Sequence, residues 1–190
     1  MKRALRYWFF GALLTVMTAG MSSASTFPAD LAQSQRAQDR ISHEVRHELV
    51  MLPQYSLFDN LAYKVDGYNV TLIGQVRNAI LKDSAEKVVK SIEGVEHVDN
   101  QIEILPASFN DDRIRRHVAH AIFNDARLFT YSIQPVPSIH IVVKNGHVTL
   151  DGVVATQTDK DTANLRANGV PGIFSVENNL IVENRSEAKK

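Results

Sequence analysis

The chain has 190 residues, 21 basic and 21 acidic side chains, and no cysteine. A chain without cysteine has no disulfide framework, no thiolate nucleophile, no Cys-based zinc or iron–sulfur site and no acceptor for a lipid-modified N-terminal cysteine. The even charge balance speaks against a nucleic-acid binder, which needs a concentrated basic footprint to displace counterions.

Lys2, Arg3 and Arg6 come before any acid, an apolar run follows from Tyr7 to Gly20, and small residues end at Ser22-Ser23-Ala24. That order is a secretory signal peptide over residues 1–24. The run falls short of the about 20 apolar residues that span a bilayer, although an uncleaved membrane anchor is a competing reading. Cleavage after Ala24 would remove three of the 21 basic residues and none of the 21 acids, leaving 18 against 21, a net charge of −3 with His neutral. The expectation is an exported, soluble, periplasmic protein that is not a lipoprotein and has no integral membrane span after cleavage.

Residues 25–37 are polar and are expected to form a flexible linker. Ile41, Val45, Leu49 and Leu52 then recur at helical spacing, with Asp39 as a start signal. Leu61, Tyr63 and Val65 alternate before Asp66-Gly67, and Val70, Leu72, Gly74 and Val76 alternate after it, which predicts a β-hairpin turning at Asp66-Gly67. A second helical stripe of Ala85, Val88, Val89 and Ile92 ends at Gly94, and a last strand runs from Val95 to Leu105.

The same series then repeats. Ile114, Val118 and Ile122 predict a helix; Ile139, Ile141 and Val143 lead through Asn145-Gly146 to Val148, Leu150, Gly152 and Val154; Ala163, Leu165, Ala167 and Val170 fill the next helix, and Ile173 to Val182 the last strand. At a constant offset of 78, Val70-Thr71-Leu72-x-Gly74-x-Val76 returns as Val148-Thr149-Leu150-x-Gly152-x-Val154, and Asn100 returns as Asn178. Upstream, Asp39-Arg40-Ile41 matches Asp112-Arg113-Ile114 at an offset of 73, so the length difference lies between first helix and first strand. A duplicated unit decides the architecture. It is α+β, two αββαβ units, each a small three-stranded mixed sheet with two helices on one face. The first unit is placed at 38–106 and the second at 107–183, with a polar tail over 184–190.

The Asp-Arg-Ile helix start, the Val-Thr-Leu-x-Gly-x-Val strand and the Gly-Val/Ile-x-x-Val-x-Asn-x-Ile/Leu ending, each present twice, resemble the BON domain. The resemblance covers Asp39 to Val182 as a tandem pair. It implies an envelope protein linked to osmotic or envelope stress, an affinity for phospholipid membranes and, in some relatives, chaperone-like help to exported or outer-membrane proteins. It brings no catalytic residues. Val50–Phe58 and Ile133–Ser138, rich in proline and apolar residues, depart from the family pattern.

Three constellations could carry chemistry. His43-Glu44-Val45-Arg46-His47 fits the H-E-x-x-H pattern of zinc hydrolases. Such a site needs a third ligand, for which Asp59 and Asp66 are the nearby candidates, and the two histidines lie roughly opposite the Ile41, Val45, Leu49 stripe, toward solvent. The second copy carries Arg116, His117 and His120 in the aligned places, without the acid. The favoured reading is a solvated helical face, with no metal and no other cofactor.

Arg113, Arg115, Arg116 and Arg127 accompany Phe123, Phe129 and Tyr131. Cations beside aromatics suit an anionic lipid surface, and these seven form the candidate lipid- or partner-binding set. The competing reading puts the aromatics in the core or between the copies and leaves the arginines solvated. Met51, Leu52, Pro53, Tyr55, Leu57 and Phe58 form an apolar loop, read either as buried under the sheet or between the copies, or as an exposed contact patch. No G-x-S-x-G elbow and no phosphate-binding glycine loop occurs.

These readings combine into a non-catalytic binding module of the bacterial envelope, with phospholipid surfaces or envelope proteins as partners. A periplasmic chaperone or scaffold is the alternative, and a zinc hydrolase using His43, Glu44 and His47 the minor one.

Overall fold

A computed structural model of the chain describes residues 27–134 and 137–183. The signal-peptide reading of residues 1–24 and the tail at 184–190 lie outside the described residues. In chain order the first unit consists of α1 (Phe27–Val50), β1 (Asn60–Asp66), β2 (Asn69–Val76), α2 (Ala79–Lys90), β3 (His97–Asn100) and β4 (Glu103–Ile104). The second repeats it with α3 (Phe109–Phe123), a 3₁₀ turn (Phe129–Tyr131), β5 (Ile139–Lys144), β6 (His147–Val154), α4 (Gln157–Asn168), β7 (Ser175–Asn178) and β8 (Ile181–Val182). Two mixed sheets with two helices apiece result, as the repeat predicts.

In each sheet the hairpin's second strand is central. It pairs antiparallel with the strand before it and parallel with the last strand, which the structure breaks in two: β3 and β4 both lie along β2, and β7 and β8 along β6. The single strand expected over Val95–Leu105 is therefore corrected, and the repeated asparagine supplies the reason. Asn100 Oδ1 accepts the Ile102 amide while Nδ2 donates to the Lys82 carbonyl of α2. Asn178 does the same with Leu180 and Lys160. A side chain that bonds its own backbone two residues on competes with the ladder and jogs the strand.

Gly74 and Gly152 repeat for an equally local reason. Both have positive φ (122° and 127°), and an added Cβ would stand 2.1 Å from the Asn60 carbonyl oxygen and 2.0 Å from that of Ser138. No side chain fits where the paired strand crosses so close.

Each core lies between one sheet face and its two helices. Ile41, Val45 and Leu49 of α1 meet Val70, Leu72 and Val76 of β2 and Leu81, Ala85 and Val89 of α2. Ile114, Val118 and Ile122 of α3 meet Val148, Leu150 and Val154 of β6 and Ala163 and Ala167 of α4. Each such branched side chain contributes about 1.5–3 kcal/mol when fully buried.

Three further expectations are corrected. Residues 27–37 are not a flexible linker but the first turns of α1; Ala, Gln and Arg propagate a helix well, and Pro28 sits in the first turn, where its missing N–H costs nothing. The first hairpin turns at Gly67-Tyr68, because Asp66 pairs with Asn69. Leu165 is 71% exposed; it lies two residues, about 200°, from Ala163 on the helix and so points away from the Asp159, Ala163, Ala167 face.

Candidate functional site

Ser108 caps α3, its side-chain oxygen accepting the Asp111 amide, and this start places Phe109 at the first helical position. At about 100° per residue, Phe109, Arg113, Arg116, His120 and Phe123 fall within one narrow arc. The arc lies opposite the buried Ile114, Val118 and Ile122. Phe109 is 83% exposed, Arg113, Arg116 and His120 are exposed, and Phe123 is half-buried against the core. The result is an aromatic and basic stripe the length of the helix. Arg113 bonds Asn110 at 2.7 Å, and His120 bonds Asn124. Neither contact neutralises a charge.

The seven candidate residues divide. Arg113, Arg116 and Phe123 lie on the stripe. Arg127 and the 54% exposed Phe129 follow it, in the segment whose 3₁₀ turn packs back on α3. Arg115 and Tyr131 are buried instead. Arg115 donates to the Val143 carbonyl of β5 and pairs with Asp112 at 2.6 Å, pinning the helix to the sheet. The Tyr131 hydroxyl donates to Asp159 at 2.9 Å and accepts the Ala155 amide at 2.8 Å. Burial, assisted by the Asp159 carboxylate, pushes its phenol up. Arg115 falls about 100° from Arg116, far enough to turn it from solvent to core. Phe109 escaped the sequence reading, although the Ser108 cap signal that fixes its place was present.

Asp111 anchors the same end of the unit. Nearly fully buried, its carboxylate accepts the amides of both turn residues, Asn145 and Gly146, at 2.9 Å. Phe174, 77% exposed, lies against that turn, its ring 5.7 Å from the His147 ring.

The apolar loop before β1 forms the seam between the copies. Leu52 is buried in the first core, while Leu57 and Phe58 pack on the second. The Tyr55 ring stacks on His140 at 5.3 Å, with its hydroxyl 3.2 Å from Nε2. The Leu57 carbonyl accepts the Ile141 amide at 2.7 Å, and Asn60 donates to Asp151 at 3.0 Å. This explains why β5 is buried on both faces. Ile139, Ile141 and Val143 line the core, and His140 and Val142 meet the first copy. Burial pushes the Tyr55 phenol up to about 12, pulls the His140 imidazole down and raises the Asp151 carboxyl. Met51, at 65% exposure, and Pro53 are the parts of the loop left outside.

His43, Glu44 and His47 are exposed on α1. Among the described residues no three His, Asp or Glu side chains gather as a metal site requires. Asp59, a candidate third ligand, is 2% exposed and already accepts the Arg77 amide at 2.8 Å and the Ser56 hydroxyl at 2.5 Å. No described helix is long and apolar enough to cross a membrane.

Comparison with known proteins agrees with the duplicated architecture. The chain is 28% identical over 124 residues to osmotically-inducible protein Y of Escherichia coli, covering 64% of this chain and 61% of that protein. It is 32% identical over 112 residues to the outer membrane lipoprotein DolP of Haemophilus influenzae, covering 56% and 54%. The chain thus matches less than two thirds of the length of either relative. A solved structure of the C-terminal domain of CdsD, a structural protein of the type III secretion system of Chlamydia trachomatis, overlays at a TM-score of 0.31 and 15% identity, covering 74% of this chain and 96% of that one. The BON domain model matches residues 37–106 and again 110–184, and the chain therefore belongs to the BON-domain family, with two copies of the domain.

Proposed function

We propose that this chain is a non-catalytic binding module of the bacterial envelope whose second BON copy attaches to anionic phospholipid surfaces through the exposed face of α3. The observation that carries the reading is the stripe of Phe109, Arg113, Arg116, His120 and Phe123, continued by Arg127 and Phe129. Guanidinium groups near an anionic leaflet contribute about 1 kcal/mol each, and rings beside them settle at the level of the headgroups. The export pattern of residues 1–24 and the names of the two relatives, one osmotically inducible and one an outer membrane lipoprotein, support the envelope and an osmotic-stress setting.

Co-sedimentation with phosphatidylglycerol vesicles, set against phosphatidylcholine vesicles, tests the reading. Arg113→Glu with Arg116→Glu should weaken binding by about 2 kcal/mol or more, roughly thirtyfold, and raised salt should weaken it further. Binding that neither this variant nor Phe129→Ala alters removes the proposal. A second reading, a scaffold for exported or outer-membrane proteins, draws on Phe174 and Leu165, which are 77% and 71% exposed and do not belong to the stripe. Suppression of client aggregation that Phe174→Ser abolishes, with vesicle binding intact, would favour it.

A further inference from the structure

We propose that the seam between the two copies holds a second binding site, a groove for one single-chain amphiphile with an anionic head. The groove has a volume of about 440 Å³, within the roughly 300–1,000 Å³ of small-molecule sites. Both copies build it. Leu49, Val50 and Leu61 of the first and Val153 of the second form apolar walls, and Tyr55 and Tyr63 add aromatic surface.

Two features point to the head. Among the described residues, Arg46, exposed on α1, lines the groove and makes no ion pair, and no carboxylate lines it. A second cleft between the copies has the opposite character, being lined by Asp151 and Glu177. An anion is therefore drawn to the first groove and repelled from the second.

Two features point to a chain. Val50 and Val153 are 36% and 45% exposed, apolar surface left open at a junction that otherwise closes over Leu57 and Phe58. Each methylene buried there contributes about 0.8 kcal/mol. A groove of this volume takes one acyl-length chain in part, not a two-chain lipid, so this site is distinct from attachment to a membrane surface through α3.

The test titrates the full chain by calorimetry with dodecyl phosphate below its critical micelle concentration. Dodecyl maltoside supplies the same chain with a neutral head, and inorganic phosphate the head alone. Dodecyl phosphate should bind one to one, the maltoside roughly tenfold more weakly, and inorganic phosphate without detectable heat. Val153→Trp and, on the opposite wall, Val50→Trp should each abolish dodecyl phosphate binding while leaving phosphatidylglycerol vesicle binding in place. Arg46→Gln should cost about tenfold. Arg113→Glu with Arg116→Glu should lose the vesicles and keep the amphiphile, so the two sites fail separately. No binding by the unaltered chain, binding that survives both tryptophan variants, or saturable capture of an apolar hexapeptide in place of dodecyl phosphate overturns the proposal.

Discussion

Helices α1 and α3 occupy the same place in their units and bury the same kind of face, yet their outer faces have parted. Where α3 presents Phe109, Arg113, Arg116, His120 and Phe123, the aligned positions of α1 hold Arg36, Arg40, His43, His47 and Val50. Glu44 breaks the positive run on α1 at the position where α3 carries His117. Arg40 is drawn back onto the Glu93 carbonyl at 3.2 Å. Packing against a sheet constrains one side of a helix and leaves the other free to change, so after duplication the inner faces stayed alike and the outer faces became two different surfaces. The lipid reading is accordingly assigned to the second copy alone.

The support beneath the helices has diverged as well. Asp59 in the first copy and Tyr131 in the second both bond the amide just past the central strand, at Arg77 and Ala155. A carboxylate and a phenol reach the same backbone group from different places, so the loops that carry them could diverge in length.

The largest effect should come from the glycines that both copies share. Gly74→Ala and Gly152→Ala each force a Cβ onto a backbone carbonyl at positive φ, and each should cost about 3 kcal/mol or more. Amide hydrogen exchange should show the loss concentrated in the copy that carries the change; equal loss in both copies would mean that the pair folds as one unit. Next comes the stripe. Giving α3 the outline of α1, through Phe109→Arg with Phe123→Val, should weaken phosphatidylglycerol vesicle binding about tenfold despite the added charge, if aromatic insertion matters as the comparison suggests. Unchanged or tighter binding would reduce the difference between the helices to charge.

Tyr131→Phe should destabilise the second copy by about 1–3 kcal/mol, because it strands the Asp159 carboxylate and removes the partner of the Ala155 amide. Chemical denaturation reads this directly. A change below a few tenths would show that water replaces the hydroxyl and that Asp59 and Tyr131 are not equivalent supports.

The smallest expected effect is a pH dependence of the seam. His140 is held below its ordinary value of 6.5 by burial. The unfolded or opened chain therefore binds a proton more readily, and the contribution of neutral His140 is lost as pH falls from about 6.5 toward the depressed value. Asp151 acts with the opposite sign: burial raises its carboxyl, so its protonation as pH falls relieves a cost of the closed seam. His140→Phe should flatten the melting temperature between pH 7 and pH 5. A profile unchanged by that substitution would show that the seam does not respond to this histidine.

Much of the architecture is legible residue by residue. The stripes of Ile41, Val45 and Leu49 and of Ile114, Val118 and Ile122, the hairpins and their duplication are local periodicities, and they appear in the structure where the spacing puts them, save that the first hairpin turns one residue later than expected. The misses are equally specific. Arg115 reads as one more cation of a basic cluster, yet it lies buried against a carbonyl of β5, 28 residues away. Tyr131 stands in the candidate lipid-facing set, but the competing core reading is the one it follows: it is a buried, bonded support. Conversely, Phe109 precedes the apolar periodicity of its helix and carries no signal of its own, and only the cap beneath it shows that it heads the exposed stripe.

Alone, then, the sequence determined the repeat, the order of helices and strands, and the inner face of each helix, because these depend on the period of the chain within a few residues. The tertiary structure decided which arginines and rings remain in water, that the loop from Leu52 to Asn60 joins the copies, and that a groove lies between them. Those properties depend on neighbours dozens of residues away, and burial belongs to a packed arrangement of segments and to no single segment.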